Sequence, residues 1–144
     1  MNKIIAWLPA LMISGIIAYK PVKEATQPDL VNKNISVAIF KGSEYTSDVY
    51  NNTSAQVHIV VEKVNSKGQH TIVWDKVIDS ISLSKYPSIE GAIKQNVTVH
   101  GLNEKKEYLI VDYTLTYNSK GNQLQMHDAT VVNGDDSGKV DISI

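Results

Sequence analysis

The chain has 144 residues, a net charge of −1 at pH 7 and no cysteine. This length is enough for one domain with a substantial core and is too short for two domains that each bury a core of their own. A net charge close to zero gives no electrostatic attraction of the chain toward polyanions. All fourteen Lys and Arg positions are lysine, whereas arginine is the residue that makes bidentate contacts to phosphates and bases. These features argue against a nucleic-acid partner.

The first twenty residues have the organisation of an export signal. Lys3 precedes an uncharged apolar run over 4–18, and Ile16 and Ala18 occupy the −3 and −1 positions of a cleavage site. We predict a signal peptide over 1–18 and an extracytoplasmic location, periplasmic or secreted. The alternative is an uncleaved anchor, because a run shorter than the ~20 residues of a normal membrane helix can still be accommodated by tilting or thinning the bilayer.

Residues 19–34 contain Pro21 and Pro28 and have no hydrophobic periodicity, so they are predicted to be a linker. From residue 35 onward, apolar and polar residues alternate repeatedly, which is the pattern of half-buried β-strands. The predicted strands lie around residues 35–39, 57–61, 72–78, 81–83, 93–99, 107–117, 124–131 and 140–144.

Local details refine the predicted strands. The sequence Asn-Ser-Lys-Gly occurs twice between strands, and Gly68 and Gly121 are expected to supply the positive φ of hairpin loops of three to five residues. The apolar phase shifts at His127-Asp128, which predicts a β-bulge. The segment 89–95 is a weak helix candidate.

Short strands spaced by polar turns, with no long amphipathic helix, predict an all-β fold over residues 35–144. We expect an antiparallel β-sandwich of about seven or eight strands. The alternative is a closed barrel, because its strands have the same sequence pattern as those of a sandwich.

The segment 98–111, TVHGLNEKKEYLIV, resembles the corner between strands E and F of fibronectin type III domains. The resemblance implies an immunoglobulin- or fibronectin-like sandwich in which Gly101-Leu102 closes strand E. It also implies that Tyr108 is the tyrosine-corner residue, whose hydroxyl bonds to upstream backbone. Trp74, on the third predicted strand, is similar to the core tryptophan of immunoglobulin domains.

The segment 133–138 has the spacing of a calcium loop. The oxygen-bearing side chains of Asn133, Asp135 and Ser137 match loop positions 1, 3 and 5, and Asp141 matches position 9. Position 12 holds isoleucine instead of the bidentate glutamate. The segment is therefore either a calcium site or a solvated turn between the last two strands.

The four histidines are isolated in sequence, and none has a second ligand at metal spacing. His127-Asp128 is the only neighbouring histidine–carboxylate pair, but adjacent strand residues point to opposite faces. No nucleophile motif is present, so we predict no catalytic residues. The alternative is a small exported enzyme, or a calcium-dependent accessory domain, using His127, Asp128 and the 133–138 loop.

Tyrosines are the remaining candidates for a binding site. Tyr45 and Tyr50 lie in one polar loop and Tyr86 in another, where exposed tyrosine provides a flat contact surface. The competing interpretation is that these rings cap the core. We expect a non-catalytic binding or structural module without a cofactor, whose partner is a protein or a cell-surface glycan.

Overall fold

The computed structural model describes residues 29–132 and 138–144, and within them the chain is mostly β-structure. Among these described residues the structure has seven strands and one α-helical segment, the single turn α1. Two 3₁₀ turns, Leu83–Lys85 and Ile89–Gly91, connect the third and fourth strands. The elements are β1 Val31–Phe40, α1 Asp48–Asn51, β2 Thr53–Asn65, β3 His70–Ser82, β4 Ile93–Leu102, β5 Glu107–Ser119, β6 Asn122–Val132 and β7 Gly138–Ser143.

The strands form two sheets. The three-stranded sheet has the order β4-β1-β7, and the four-stranded sheet has the order β3-β2-β5-β6. All neighbouring strands are antiparallel except β1 and β7, which pair in parallel from Ile35↔Gly138 to Phe40↔Ser143. Because each described sheet has two free edges, the barrel alternative is wrong and the prediction of an all-β fold with two sheets is confirmed.

Both sheets contribute one apolar face to a shared core. In the four-stranded sheet the alternate residues of β2 and β5 are buried, and in the three-stranded sheet the alternate residues of β1 and β7 are buried. Burying one such aliphatic side chain contributes about 1.5–3 kcal/mol, so the period-two pattern accounts for the two-layer packing. The fully buried strand residues include Val37, Ile39, Val57, Ile59, Val61, Leu109, Val111 and Ile142.

Several predicted boundaries were wrong. The predicted strands at 72–78 and 81–83 are one strand, β3, and β1 begins at Val31 inside the predicted linker. Lys33, assigned to that linker, is buried, with its ammonium group 3.0 Å from the Glu104 carboxylate. Helical structure in the segment 89–95 is limited to Ile89–Gly91.

The predicted bulge at His127 is also absent, because β5 and β6 pair without interruption from Leu109↔Val132 to Ser119↔Asn122. The register shifts in the four-stranded sheet lie between β2 and β3 instead. The phase change in β6 arises because nearly the whole strand is exposed, so that its side chains carry no burial pattern.

The two Asn-Ser-Lys-Gly segments form different turns. In the first, the Asn65 side chain accepts hydrogen bonds from two backbone N–H groups of a four-residue loop, and Gly68 has φ 73°. In the second, the loop has only two residues, Lys120 with φ 49° and Gly121 with φ 83°. Positive φ at both positions is the type I′ geometry that matches strand twist, so the predicted role of glycine is confirmed and the second loop is shorter than expected.

Some of the residues on which the fibronectin-like resemblance rests lie where the resemblance implies, and others do not. Leu102 ends β4, as the resemblance implies, and Trp74 packs against the edge of the core. Tyr108 is 43% exposed, and its hydroxyl makes no hydrogen bond within the described residues. Two other tyrosines bond to main-chain oxygens through their hydroxyls: Tyr45 to Ile144 and Tyr86 to Ala55.

The predicted signal peptide at 1–18 and most of the predicted linker lie outside the described residues. Among residues 29–132 and 138–144, no helix has the length and hydrophobicity needed to span a bilayer.

Candidate functional site

A cleft of about 450 Å³ opens at one end of the four-stranded sheet. We call it the tyrosine cleft. It lies where the turn between β5 and β6 meets α1 and the 3₁₀ turn after β3. Its walls are mainly apolar, and they are formed by Tyr45, Tyr50, Thr53, Leu83, Tyr117, Ser119, Asn122, Gln123, Leu124 and Met126.

The cleft exists because a three-stranded sheet does not fully cover a four-stranded one. Leu115 and Tyr117 on β5 pair with Met126 and Leu124 on β6, so these four side chains share one face of the sheet. Leu115 is buried, whereas Leu124 and Met126 are 62% and 55% exposed. Apolar side chains that continue the core face therefore emerge into solvent at β6.

Two tyrosine rings form the opposite wall of the cleft. The ring centroids of Tyr45 and Tyr50 are 4.9 Å apart and the rings are tilted by 57°, close to the tilted packing that aromatic pairs favour. The Tyr45 hydroxyl donates a hydrogen bond to the main-chain oxygen of Ile144 at 2.5 Å. This bond fixes the loop before α1 onto the end of the three-stranded sheet.

Hydrogen bonds attach the helical turn that carries Tyr50 to the end of β5. The Thr53 hydroxyl lies 3.2 Å from the main-chain oxygen of Val49 and 3.0 Å from the Ser119 hydroxyl, which connects α1 to the end of β5. Asn51 also donates to Asp48 within the turn. Tyr50 is thus an exposed ring on a short, locally anchored segment.

Tyr117 forms the floor of the cleft. Burial, with a smaller contribution from the nearby Tyr45, raises the pKa of the Tyr117 hydroxyl above its usual value. The hydroxyl, which is neutral at physiological pH as in any tyrosine, can donate or accept a hydrogen bond.

From their loop positions, Tyr45, Tyr50 and Tyr86 were predicted to be exposed contact residues, but in the structure they have different locations. Tyr45 and Tyr50 lie together on the cleft wall. Tyr86 is only 2% exposed, and its hydroxyl donates a hydrogen bond to the main-chain oxygen of Ala55 at 2.9 Å. The interpretation of Tyr86 as a partner-contacting surface residue is therefore wrong; this side chain belongs to the core.

A second feature lies on the outer face of the four-stranded sheet, away from the core. Three histidines each contact a carboxylate on the neighbouring strand. The nitrogen–oxygen distances are 3.0 Å for His58–Asp75, 2.6 Å for His70–Glu62 and 2.8 Å for His127–Asp112. Sequence reasoning missed these pairs, because each one depends on the register between two strands.

His127 and Asp128 are not brought together. His127 contacts Asp112 on the outer face, whereas Asp128 accepts a hydrogen bond from the Tyr113 hydroxyl at 3.1 Å on the other face. Neither residue lines the tyrosine cleft. Burial and the hydrogen bond to Asp128 raise the pKa of Tyr113.

Three of the predicted calcium ligands, Asn133, Asp135 and Ser137, lie outside the described residues. The fourth, Asp141, lies on β7 opposite Ala38, with its carboxylate 3.2 Å from the Lys139 ammonium group. In the part of the chain that the structure describes, no cluster of three or more histidine or acidic side chains has metal-binding geometry.

Comparison with known proteins adds no family to this geometry. No family model, no curated protein and no solved structure matches the chain.

Proposed function

We propose that the chain is an exported, non-catalytic binding module that holds apolar side chains of a protein partner in the tyrosine cleft. The observation that carries this proposal is the cleft itself, where Tyr45, Tyr50, Leu124 and Met126 present apolar surface to solvent. Soluble domains normally bury such surface, and contiguous exposed apolar surface with a polar rim is typical of interaction sites.

The chemistry of the walls favours a protein over a glycan. Sugars need convergent hydrogen-bonding groups beside an aromatic ring, but the Thr53 hydroxyl is already bonded to Val49 and Ser119. The other polar groups of the lining are the Tyr50 and Tyr117 hydroxyls and the side chains of Asn122 and Gln123, and they stand among mainly apolar walls. Apolar side chains from a polypeptide therefore match the interior better than hydroxyl groups do.

The size of the cleft suits a short segment. Its volume of about 450 Å³ lies within the range of about 300–1,000 Å³ that is usual for ligand sites. Tyrosine also offers contact area at low entropic cost, because it has only two side-chain torsions. One or two apolar side chains would fill the site, with contacts to Tyr50 and Leu124.

Site-specific photocrosslinking in the producing cell tests this proposal. A photoreactive phenylalanine analogue replaces Tyr50, and the matched control places it at Ile72, an exposed apolar position on β3. We expect a discrete protein adduct from position 50, no such adduct from position 72, and loss of the adduct when Leu124→Asp is added.

Three outcomes would overturn the proposal. These are equal adducts at both positions, no protein adduct at position 50, or adducts that Leu124→Asp leaves unchanged. A cleft that binds oligosaccharides in titration, with loss of binding in Tyr50→Ala, would replace the protein partner with a glycan.

We also infer that the two sheets belong to the immunoglobulin-like class of sandwiches. Support comes from the division into three and four strands and from the end of β4 at Leu102, as the resemblance implies. The exposed Tyr108 departs from that pattern. An experimental structure whose strand order differs from β4-β1-β7 and β3-β2-β5-β6 would contradict this inference.

A further inference from the structure

The four edge strands of the two sheets differ in how they are protected against pairing with another strand. Natural edges carry lysine, proline or bulges, or are kept short. Among the described strands, β3 has Lys76 and two register shifts, β4 has Lys94 and one register shift, and β7 has six residues including Lys139. β6 has eleven residues, no lysine, no proline and an unbroken register against β5.

The backbone of β6 also has a defined set of outward-pointing groups. A two-residue turn closes on a hydrogen-bonded pair, here Ser119 and Asn122, and hydrogen-bonded and non-bonded pairs alternate along the ladder. Residues 123, 125, 127, 129 and 131 therefore direct their N–H and C=O groups away from β5. No described strand pairs with these groups, so in the part of the chain that the structure describes they can accept one more antiparallel strand.

We propose that β6 pairs with β6 of a second copy of this chain, antiparallel and centred on Gln125. A two-fold axis at this residue makes the two four-stranded sheets continuous. Leu124 of each copy then faces Met126 of the other, and His127 faces Gln123. This association goes beyond the cleft's proposed role, because it uses the strand edge and requires no other protein.

The charge on β6 disfavours moving the axis toward the carboxyl end of the strand. Centred on Gln125, the pairing places Asp128 opposite Asn122, and the two Asp128 carboxylates lie at opposite ends, about 20 Å apart at 3.4 Å per residue. Moving the axis to Met126 would place Asp128 opposite Leu124, and moving it to His127 would place Asp128 opposite Met126. Each shift would remove both Leu124–Met126 pairs and place a carboxylate beside an apolar side chain, which costs desolvation.

The pairing uses main-chain groups that no strand among residues 29–132 and 138–144 bonds to. Three pairs of outward-pointing residues would form about six main-chain hydrogen bonds. The two cross-strand Leu124–Met126 pairs would cover side chains that are exposed in the single chain. They would also bring the tyrosine clefts of the two copies next to each other on one face of the joined sheet.

Single-cysteine crosslinking of the full chain tests the register, because the protein has no cysteine of its own. At the axis, two copies of Gln125→Cys would have their Cα atoms about 5.5 Å apart, within the range for a disulfide. Gln123→Cys is the matched control, since it places the same substitution two residues away on the same face. Its Cα atoms would lie about 14 Å apart, which is too far.

We expect Gln125→Cys to form a covalent dimer under mild oxidation and Gln123→Cys to remain monomeric. Equal crosslinking of both variants, or crosslinking of Gln123→Cys alone, would contradict the register. No crosslinking of Gln125→Cys would contradict the pairing.

Sedimentation equilibrium of the unsubstituted chain provides the second measurement. We expect twice the mass of the single chain at concentrations of tens of micromolar. Gln125→Pro removes an N–H that points away from β5, and Gln125→Lys places two ammonium groups face to face at the axis. Both variants should sediment as monomers, and circular dichroism should confirm that they remain folded.

A chain that stays monomeric at these concentrations would overturn the proposal. So would a folded Gln125→Lys variant that still dimerises. Strand addition by an extended peptide of another protein, in the absence of self-association, would show that β6 accepts a different occupant.

Discussion

The Tyr86 hydroxyl donates a hydrogen bond to the main-chain oxygen of Ala55, 2.9 Å away, and both residues are buried in the core. The bond connects the 3₁₀ turn after β3 to the beginning of β2. Tyr86 is also the largest fully buried side chain of the described core. A residue in a connecting segment therefore closes one end of the space between the sheets.

Removing this hydroxyl should destabilise the fold without changing its shape. Tyr86→Phe keeps the ring and loses one buried hydrogen bond, which contributes about 0.5–1.5 kcal/mol. Urea unfolding should show a lower midpoint with an unchanged slope. Tyr108→Phe, at an exposed tyrosine, is the control and should leave the midpoint unchanged.

The fold should lose stability in alkaline solution. Burial, with a smaller contribution from Tyr117, raises the pKa of Tyr86 to about 12 from the usual 10. Because the folded-state pKa is the higher one, the stabilisation is complete below pH 10 and is lost as the pH rises toward 12.

A shift of this size corresponds to at most about 3 kcal/mol. Unfolding monitored between pH 9 and pH 12 measures the decline, and Tyr86→Phe should flatten it. Burial also raises the pKa of Tyr113 and Tyr117, so a smaller dependence should remain in that variant. A stability that does not change over this interval would contradict the buried position of Tyr86.

The hairpin between β5 and β6 should depend on glycine at position 121. Gly121 has φ 83°, and an added Cβ would meet no atom within 4 Å, so the effect of Gly121→Ala is confined to the backbone. A left-handed conformation costs an L-residue about 1–2 kcal/mol. Gly91→Ala is the matched control, because that position has no positive φ and only an ordinary contact with Pro87. Thermal unfolding of the two variants gives the comparison.

A different glycine is required by packing. A Cβ added at Gly138 would overlap the Val132 side chain, and both residues are buried. We expect Gly138→Ala to destabilise the chain by about 1–3 kcal/mol through overpacking. Val132→Ala should remove most of that penalty, so the double variant should be more stable than the sum of the two single effects predicts. Additive effects would show that the two positions are not in contact.

The histidine–carboxylate pairs on the outer face of the four-stranded sheet should contribute little to stability. His127 and Asp112 are both solvent-accessible, and exposed ion pairs are typically worth about 0–1 kcal/mol. His127→Gln should therefore change the free energy of unfolding by less than about 1 kcal/mol. A larger loss in urea unfolding would assign this pair a structural role that its exposure does not suggest.

Much of the fold could be predicted from the sequence. The alternation of apolar residues identified the core faces of β1, β2, β5 and β7, because a strand places every second side chain on the same face. The positive φ of Gly68 and Gly121 was also predictable, since few residues other than glycine adopt it readily. The prediction of a bulge at His127 was wrong for the same reason, because apolar alternation reports a buried face and the exposed edge strand β6 has almost none.

The candidate site could be predicted only in part. Tyr45 and Tyr50 were identified from their polar loop, and the structure places both on one cleft wall. Leu124 and Met126 were assigned only to a strand, because their exposure depends on how far the opposite sheet extends. Tyr86 was grouped with the loop tyrosines, because a loop position does not show whether the ring points outward or into the core.

The sequence by itself therefore determined the all-β class, the apolar face of most strands and the glycine turns, all of which follow from residues close together in the chain. The tertiary structure alone decided the parallel pairing of β1 with β7, the burial of Tyr86, the cross-strand histidine pairs and the opening of the tyrosine cleft. These features depend on which strands become neighbours and in what register. Strand neighbours are chosen by packing between residues far apart in sequence, and local periodicity carries no information about that choice.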